Sequence, residues 1–176
     1  RYTDMCYLTS NEDFGEDASQ FFNMIFGFTN AIETKELSVA PFGLREKIYE
    51  LIDNEIRQVH HGHEGLIIAK MNSLVDKEVI DKLYEASRAG VKIRLIVRGI
   101  CTLVPGVKGQ SENIIVKSII GEFLEHSRIY YFQNGHHPQV YLSSADLMTR
   151  NLDYRIELMF PVLDKHISNR IQQTLK

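Results

Sequence analysis

Gly65-Leu-Ile-Ile-Ala-Lys70 and Val91-Lys-Ile-Arg-Leu-Ile-Val-Arg98 enclose the stretch whose reading decides the fold. The first is a compact apolar run, the mark of a strand buried on both faces. Between the two, Asp76 to Ala89 carries Val79, Ile80, Leu83 and Ala86 at spacings of three and four, with Gly90 behind them, which predicts a helix closed by glycine. Asn72 and Ser73 are short polar residues available to cap this region. Strand, helix, strand at these lengths implies a right-handed crossover joining two parallel strands. The expected class is α/β.

Working outward, residues 43–60 hold Leu44, Ile48, Leu51, Ile52 and Ile56 at helical spacing and close near Gly62, and Leu37-Ser-Val-Ala-Pro41 reads as a short strand stopped by proline. From Asp13, the phases of Ala18, Phe21, Phe22, Ile25 and Phe26 predict an amphipathic helix, with Glu16 and Asp17 in its first turn and Gly27 and Asn30 at its end. Residues 28–35 read as a connection and residues 1–11 as extended or irregular. Towards the other terminus come a short apolar run from Ile114 to Ile120, strands over Phe123–Phe132, Gln139–Asp146 and Tyr154–Pro161, and a helix from Ile167. No internal repeat aligns.

With 176 residues, 44% of them hydrophobic and 24% charged, the chain is long enough to bury a core and too apolar for a disordered segment. A net charge of -3 argues against nonspecific nucleic-acid binding, which needs a basic surface; a polyanion would have to bind at a locally basic cleft. Cys6 and Cys101 are too few and too far apart for a disulfide framework or a paired zinc site, and a reducing compartment is expected. No signal peptide and no apolar run long enough to cross a bilayer is present. The chain opens at Arg1 without Met and stops within a helical pattern, so a fragment of a longer protein is expected.

Candidate chemistry concentrates late in the sequence. In Phe123-Leu-Glu-His-Ser-Arg-Ile-Tyr-Tyr-Phe132, His126 and Arg128 stand two apart, so on a strand they share a face with Tyr130 while Ile129 points the other way. An imidazole beside a permanent cation suits an anion site; a half-buried histidine next to a surface arginine is the plainer alternative. Arg98 ends a predicted parallel strand, with Gly99 directly behind it. Ligands collect beyond the carboxyl ends of such strands, and glycine there lets backbone approach a bound group. Arg150, Asn151 and Arg155 crowd one turn and one strand start, either to hold phosphate or to pair with Asp153 or Glu157.

Several tempting motifs fail on spacing. His60, His61 and His63 with Glu64 match no common zinc pattern and sit where a helix end favours histidine, and His136-His137 between Gly135 and Pro138 reads as a hairpin tip. The glycines around Lys108 lack the Gly-Lys-Ser/Thr ending of a phosphate-binding loop. Ser143 and Ser144 lack the Gly-x-Ser-x-Gly elbow of a serine hydrolase. No metal ligands are assigned.

Taken together, Tyr2-Thr-Asp4, Ile93-Arg-Leu-Ile-Val-Arg-Gly-Ile-Cys101, Val104-Pro-Gly106, Gly121-Glu-Phe-Leu-Glu-His-Ser-Arg-Ile-Tyr130 and Ser143-Ser-Ala-Asp-Leu-Met-Thr-Arg-Asn-Leu-Asp153 make the chain resemble the C-terminal catalytic region of the bacterial polyphosphate kinase family, truncated at both ends. The resemblance implies a phospholipase D-like fold, a mixed sheet flanked by helices. It implies that residues 1–35 are the tail of the first C-terminal catalytic domain and residues 36–176 most of the second. It further implies that Tyr2, Arg98 and His126 contact the nucleotide and its phosphates, His126 with a catalytic role, and Arg128, Arg150 and Asn151 complete the expected phosphate site.

The implied activity is reversible transfer of the γ-phosphate of ATP to inorganic polyphosphate through a phosphohistidine. That histidine, and the arginines the family uses with magnesium, lie upstream of residue 1. The implied partners are ATP or ADP and polyphosphate, with no nucleic acid. The full-length enzyme is expected to be a cytoplasmic homo-oligomer, with membrane association left open. Distant phospholipase D relatives set His, then Lys two later, then Asp five beyond; here Arg128 and Gln133 occupy the last two places. Phosphodiester hydrolysis is therefore the weaker alternative, beside a noncatalytic phosphate-binding module.

Overall fold

A computed structural model describes residues 2–29 and 33–175. A seven-stranded mixed sheet forms its centre. The strands are β2 (Ser38–Ala40), β3 (Leu66–Met71), β4 (Lys92–Val97), β5 (Ile114–Lys117), β7 (Arg128–Phe132), β8 (Gln139–Ser143) and β9 (Glu157–Pro161), in the spatial order β2-β9-β8-β7-β3-β4-β5. β3, β4 and β5 run parallel, whereas β7, β8, β9 and β2 alternate in direction. β1 (Tyr2–Thr3) and β6 (Leu124–Glu125) form a separate parallel pair. The helices are α1 (Glu12–Ile25), α2 (Leu44–His60), α3 (Lys77–Arg88) and α4 (Lys165–Gln173).

The β3–α3–β4 unit predicted from the apolar runs is present, with Leu66 opposite Lys92 and Met71 opposite Val97. The cap of α3 is Asp76, whose carboxylate accepts from the Val79 amide, rather than Asn72 or Ser73. Side chains alternate across the sheet as the pleat requires. Tyr130 and Phe132 join the core under α2 and α3, while Ile129 and Tyr131 join the opposite core with Val162, Ile171 and Leu175 near α4. Burial of both faces explains why β3 reads as a continuous apolar run.

Two expectations are corrected. Helix α1 forms where predicted, but Phe22, Ile25 and Phe26 are exposed. The helix is attached instead through Phe14 and through buried Asp17, whose carboxylate accepts from the backbone amides of Lys35, Glu36 and Leu37. Three backbone hydrogen bonds outweigh an apolar stripe that meets mainly its own rings, Phe22 stacking on Phe26. Asn30, predicted to help end this helix, lies outside the described residues. The run Phe123–Phe132 is also not one strand. Leu124–Glu125 pairs with Tyr2–Thr3, the main-sheet strand starts only at Arg128, and His126 occupies the corner between them.

Candidate functional site

The topology brings to one edge of the sheet the carboxyl ends of β3, β4 and β8 and the amino ends of β7 and β9. This edge carries a cleft of about 500 Å³ lined by Asp4, His126, Arg128, Asp146, Arg150, Asn151, Arg155 and Glu157, among others.

His126 is held from several sides. Its amide donates to the Thr3 carbonyl at 2.9 Å, and its Nδ1 lies 2.8 Å from Asp4 Oδ2. A carboxylate only accepts, so the shared proton belongs on Nδ1, and Nε2 is left to accept or, once protonated, to donate. Burial acts to raise the Asp4 carboxyl. Hydrogen bonds from His126 and the Met5 amide outweigh it, with help from the charge of Arg128, and hold Asp4 below its usual value. The Tyr2 ring meets the imidazole edge-on, centroids 5.3 Å apart.

Arg128 joins this dyad to the sheet. Its Nε and Nη2 donate to the two oxygens of Asp146 at 3.3 and 3.1 Å, and its Nη1 donates to the His126 carbonyl at 3.0 Å. Nη1 also lies 3.1 and 3.2 Å from the two ring nitrogens. One atom equidistant from both is out of line with the Nε2 lone pair and cannot donate to the protonated Nδ1, so the guanidinium rests against the ring face. Asp146 in turn accepts from the amides of Asn72 and Ser73 at 2.7 and 3.3 Å.

The remaining predicted residues separate into two groups. Arg150 and Arg155 line the same cleft as His126, both exposed. Neither makes an ion pair among the described residues, because Asp153 pairs with Arg45 while Glu157 accepts from Asn151 Nδ2 and from Ser144. Asn151 is buried and its Oδ1 has no hydrogen-bond partner. Its turn, Arg150–Tyr154, is π-helical, a geometry frequent at functional sites. Arg98 is not in this cleft: it lines an adjoining one with residues 119–124, and its Nε donates to Asn72 Oδ1 at 2.8 Å.

Three supports escaped the sequence reading. Asp146 and Asn72 are buried hydrogen-bonding hubs. Lys70, also buried, donates to the carbonyl and hydroxyl of Ser127 at 3.0 and 2.8 Å and lies 3.4 Å from Glu125. Burial lowers the Lys70 ammonium, and Glu125 offsets only part of that. A lysine inside an apolar run was the available signal, because such a residue needs a partner to stay buried. Gln133, in the place of the phospholipase D aspartate, bonds to Tyr131 and Gly135 at the hairpin end of β7, away from the cleft.

Among the described residues no group of three or more His, Cys, Asp or Glu could hold a metal ion. No step is assigned to magnesium. Nor is any helix among them long and apolar enough to cross a membrane.

The same arrangement of strands and helices is found in Nuc from Salmonella typhimurium, a phospholipase D family member. The two share a TM-score of 0.58 at 11% identity, over 80% of this chain and 90% of that one. Such a likeness defines the class of fold, a phospholipase D-like α/β domain. The family model for polyphosphate kinase C-terminal domain 2 matches residues 37–176. The polyphosphate kinase of Bacillus cereus is 55% identical over 175 residues, 99% of this chain and 25% of that protein. The crystal structure of polyphosphate kinase from Porphyromonas gingivalis has a TM-score of 0.92 at 46% identity, over 95% of this chain and 26% of that one. The chain belongs to the polyphosphate kinase family, and it spans about a quarter of the length of the curated relatives it matches.

Proposed function

We propose that this chain is the phosphate-holding part of a polyphosphate kinase, which transfers the γ-phosphate of ATP reversibly to inorganic polyphosphate through a phosphohistidine outside this sequence. The observation that carries the reading is the Asp4–His126 dyad. It leaves Nε2 available at a cleft where Arg150 and Arg155 have no carboxylate partner. Phosphoryl transfer asks a protein chiefly for positioning and for neutralisation of oxygen charge. Arg150 and Arg155 supply cations, and Asn151, buried between them and Glu157, completes the phosphate site through its turn. His126 binds the γ-phosphate or exchanges a proton as charge develops on the leaving oxygen. Tyr2, exposed and packed on His126, offers a ring to the base or ribose. Arg98 holds phosphate oxygens from the adjoining cleft.

Residues 1–35 are assigned to the end of the first catalytic domain and residues 36–176 to most of the second. The match to the family model from residue 37 supports this division. The whole enzyme is assigned to the cytoplasm as a homo-oligomer, with ATP or ADP and polyphosphate as its ligands and its magnesium donors outside this chain.

In the full-length enzyme, Arg98→Ala and His126→Ala should each lower ATP-dependent polyphosphate synthesis by about 10²–10³, the usual loss of a preorganised donor. Near-normal rates would reject these roles. Turnover of a chromogenic phosphodiester by the same protein would favour the hydrolase alternative.

A further inference from the structure

Arg98 and His126 sit in adjoining clefts, and a single buried amide stands between them. Asn72 is 4% exposed. Its Oδ1 accepts from Arg98 Nε at 2.8 Å, while its Nδ2 donates to the His126 carbonyl at 3.2 Å and to Asp146 Oδ1 at 3.4 Å. Its own backbone is fixed at both ends. The amide donates to Asp146 at 2.7 Å, and the carbonyl accepts from the Gly99 amide at 2.7 Å. A Cβ at Gly99 would stand 2.9 Å from that carbonyl, so glycine after Arg98 is what lets the ends of β3 and β4 close on each other here.

From this we infer that Asn72 is a positioning residue that aims Arg98 and sets its register against His126, so that both act on one phosphate chain. The inference rests on the proposed roles of those two residues. The chemistry is specific to a carboxamide. One end must accept from a guanidinium and the other must donate to a carbonyl, which aspartate and leucine cannot do together at neutral pH, and which the single oxygen of serine cannot span. With Nε occupied by Asn72, the guanidinium of Arg98 is fixed in direction, and its two terminal nitrogens remain available to phosphate oxygens.

Two measurements on the full-length enzyme test this. The first is a double-mutant cycle read by ATP affinity in titration calorimetry. Asn72→Ala should weaken ATP binding about tenfold when Arg98 is present and less than about twofold in the Arg98→Ala background, because the amide then has nothing to aim. Equal losses in both backgrounds, or no loss in either, overturn the inference. Unchanged affinity in Arg98→Ala alone would instead reject the role proposed for Arg98, so the two failures are distinguishable.

The second uses Asn72→Asp, which keeps size and the acceptor for Arg98. Ionised beside the Arg98 guanidinium, the new carboxylate can hold Arg98 but cannot donate to the His126 carbonyl. ATP affinity should therefore stay within about threefold of wild type while kcat falls about tenfold or more. Affinity that falls as far as in Asn72→Ala, or an unchanged kcat, counts against the inference, since a purely structural defect has no reason to split the two.

Discussion

Two arginines in this molecule are equally buried and differ in what they leave unused. The side chains of Arg45 and Arg128 are each 12% exposed, and each makes a bidentate pair with a largely buried aspartate, Asp76 and Asp146 respectively. Arg45 engages all five of its N–H bonds: Nε with Asp153, Nη1 with Tyr49 and Asp76, and Nη2 with Asp76 and Asp153. It bolts α2 to the start of α3 and to the Arg150–Tyr154 turn. Arg128 engages three with oxygen acceptors, two on Asp146 and one on the His126 carbonyl. Its other two meet the imidazole face or the cleft. Burial and pairing alone therefore do not separate the two; spare donors beside an open cleft do.

The comparison breaks if the two arginines respond alike. Arg45→Ala leaves Asp76 buried and unpaired, and loss of one partner of such a pair costs about 3–5 kcal/mol. In the full-length protein this should appear as faster hydrogen exchange of the α3 amides, with turnover of the folded fraction changed far less than by substitution of His126. Arg128→Lys should do the reverse. A lysine keeps the charge but cannot span Asp146 and His126 together, so polyphosphate synthesis should fall about 10²-fold with exchange in α3 little altered. Comparable loss of turnover in both variants would erase the distinction.

Asp76 sharpens the same contrast through pH. Burial acts to raise its carboxyl, but Arg45, Thr149 and the Val79 amide outweigh burial and bring it from 3.8 to about 2. A carboxyl depressed in the folded state adds stability that is fully present above the unfolded value and is lost as pH falls through the folded one. The expected contribution is about 2 kcal/mol at neutral pH, disappearing between pH 4 and about 2. Chemical denaturation at pH 5 and pH 2.5 should show a decline that is smaller by about 1.5 kcal/mol in Asp76→Asn, the part of this contribution lost over that interval. An identical decline in both proteins would mean that Arg45 holds Asp76 less firmly than the geometry says.

What was legible beforehand follows what is local. The β3–α3–β4 unit could be read because apolar runs and spacings of three and four report burial along one segment, and Gly90 reports the end of a helix. His126 and Arg128 could be singled out because two residues apart on an extended chain are neighbours in space, although the corner at His126 breaks the strand there. The face of α1 was misread for a related reason. Periodicity says which residues share a side of a helix, but not that Asp17, rather than the phenylalanines, would find partners.

Sequence by itself determined the α/β class, the crossover, the family resemblance and the residue types of a candidate anion site. Tertiary structure alone decided which of those residues meet. Asp4 reaches His126 across 122 positions, Arg45 reaches Asp153 across 108, and Asn72 touches Arg98, His126 and Asp146 at once. These contacts follow from strand order, which gathers ends from distant parts of the chain at one edge of the sheet. Strand order is set by packing of the whole core, and no local spacing encodes it.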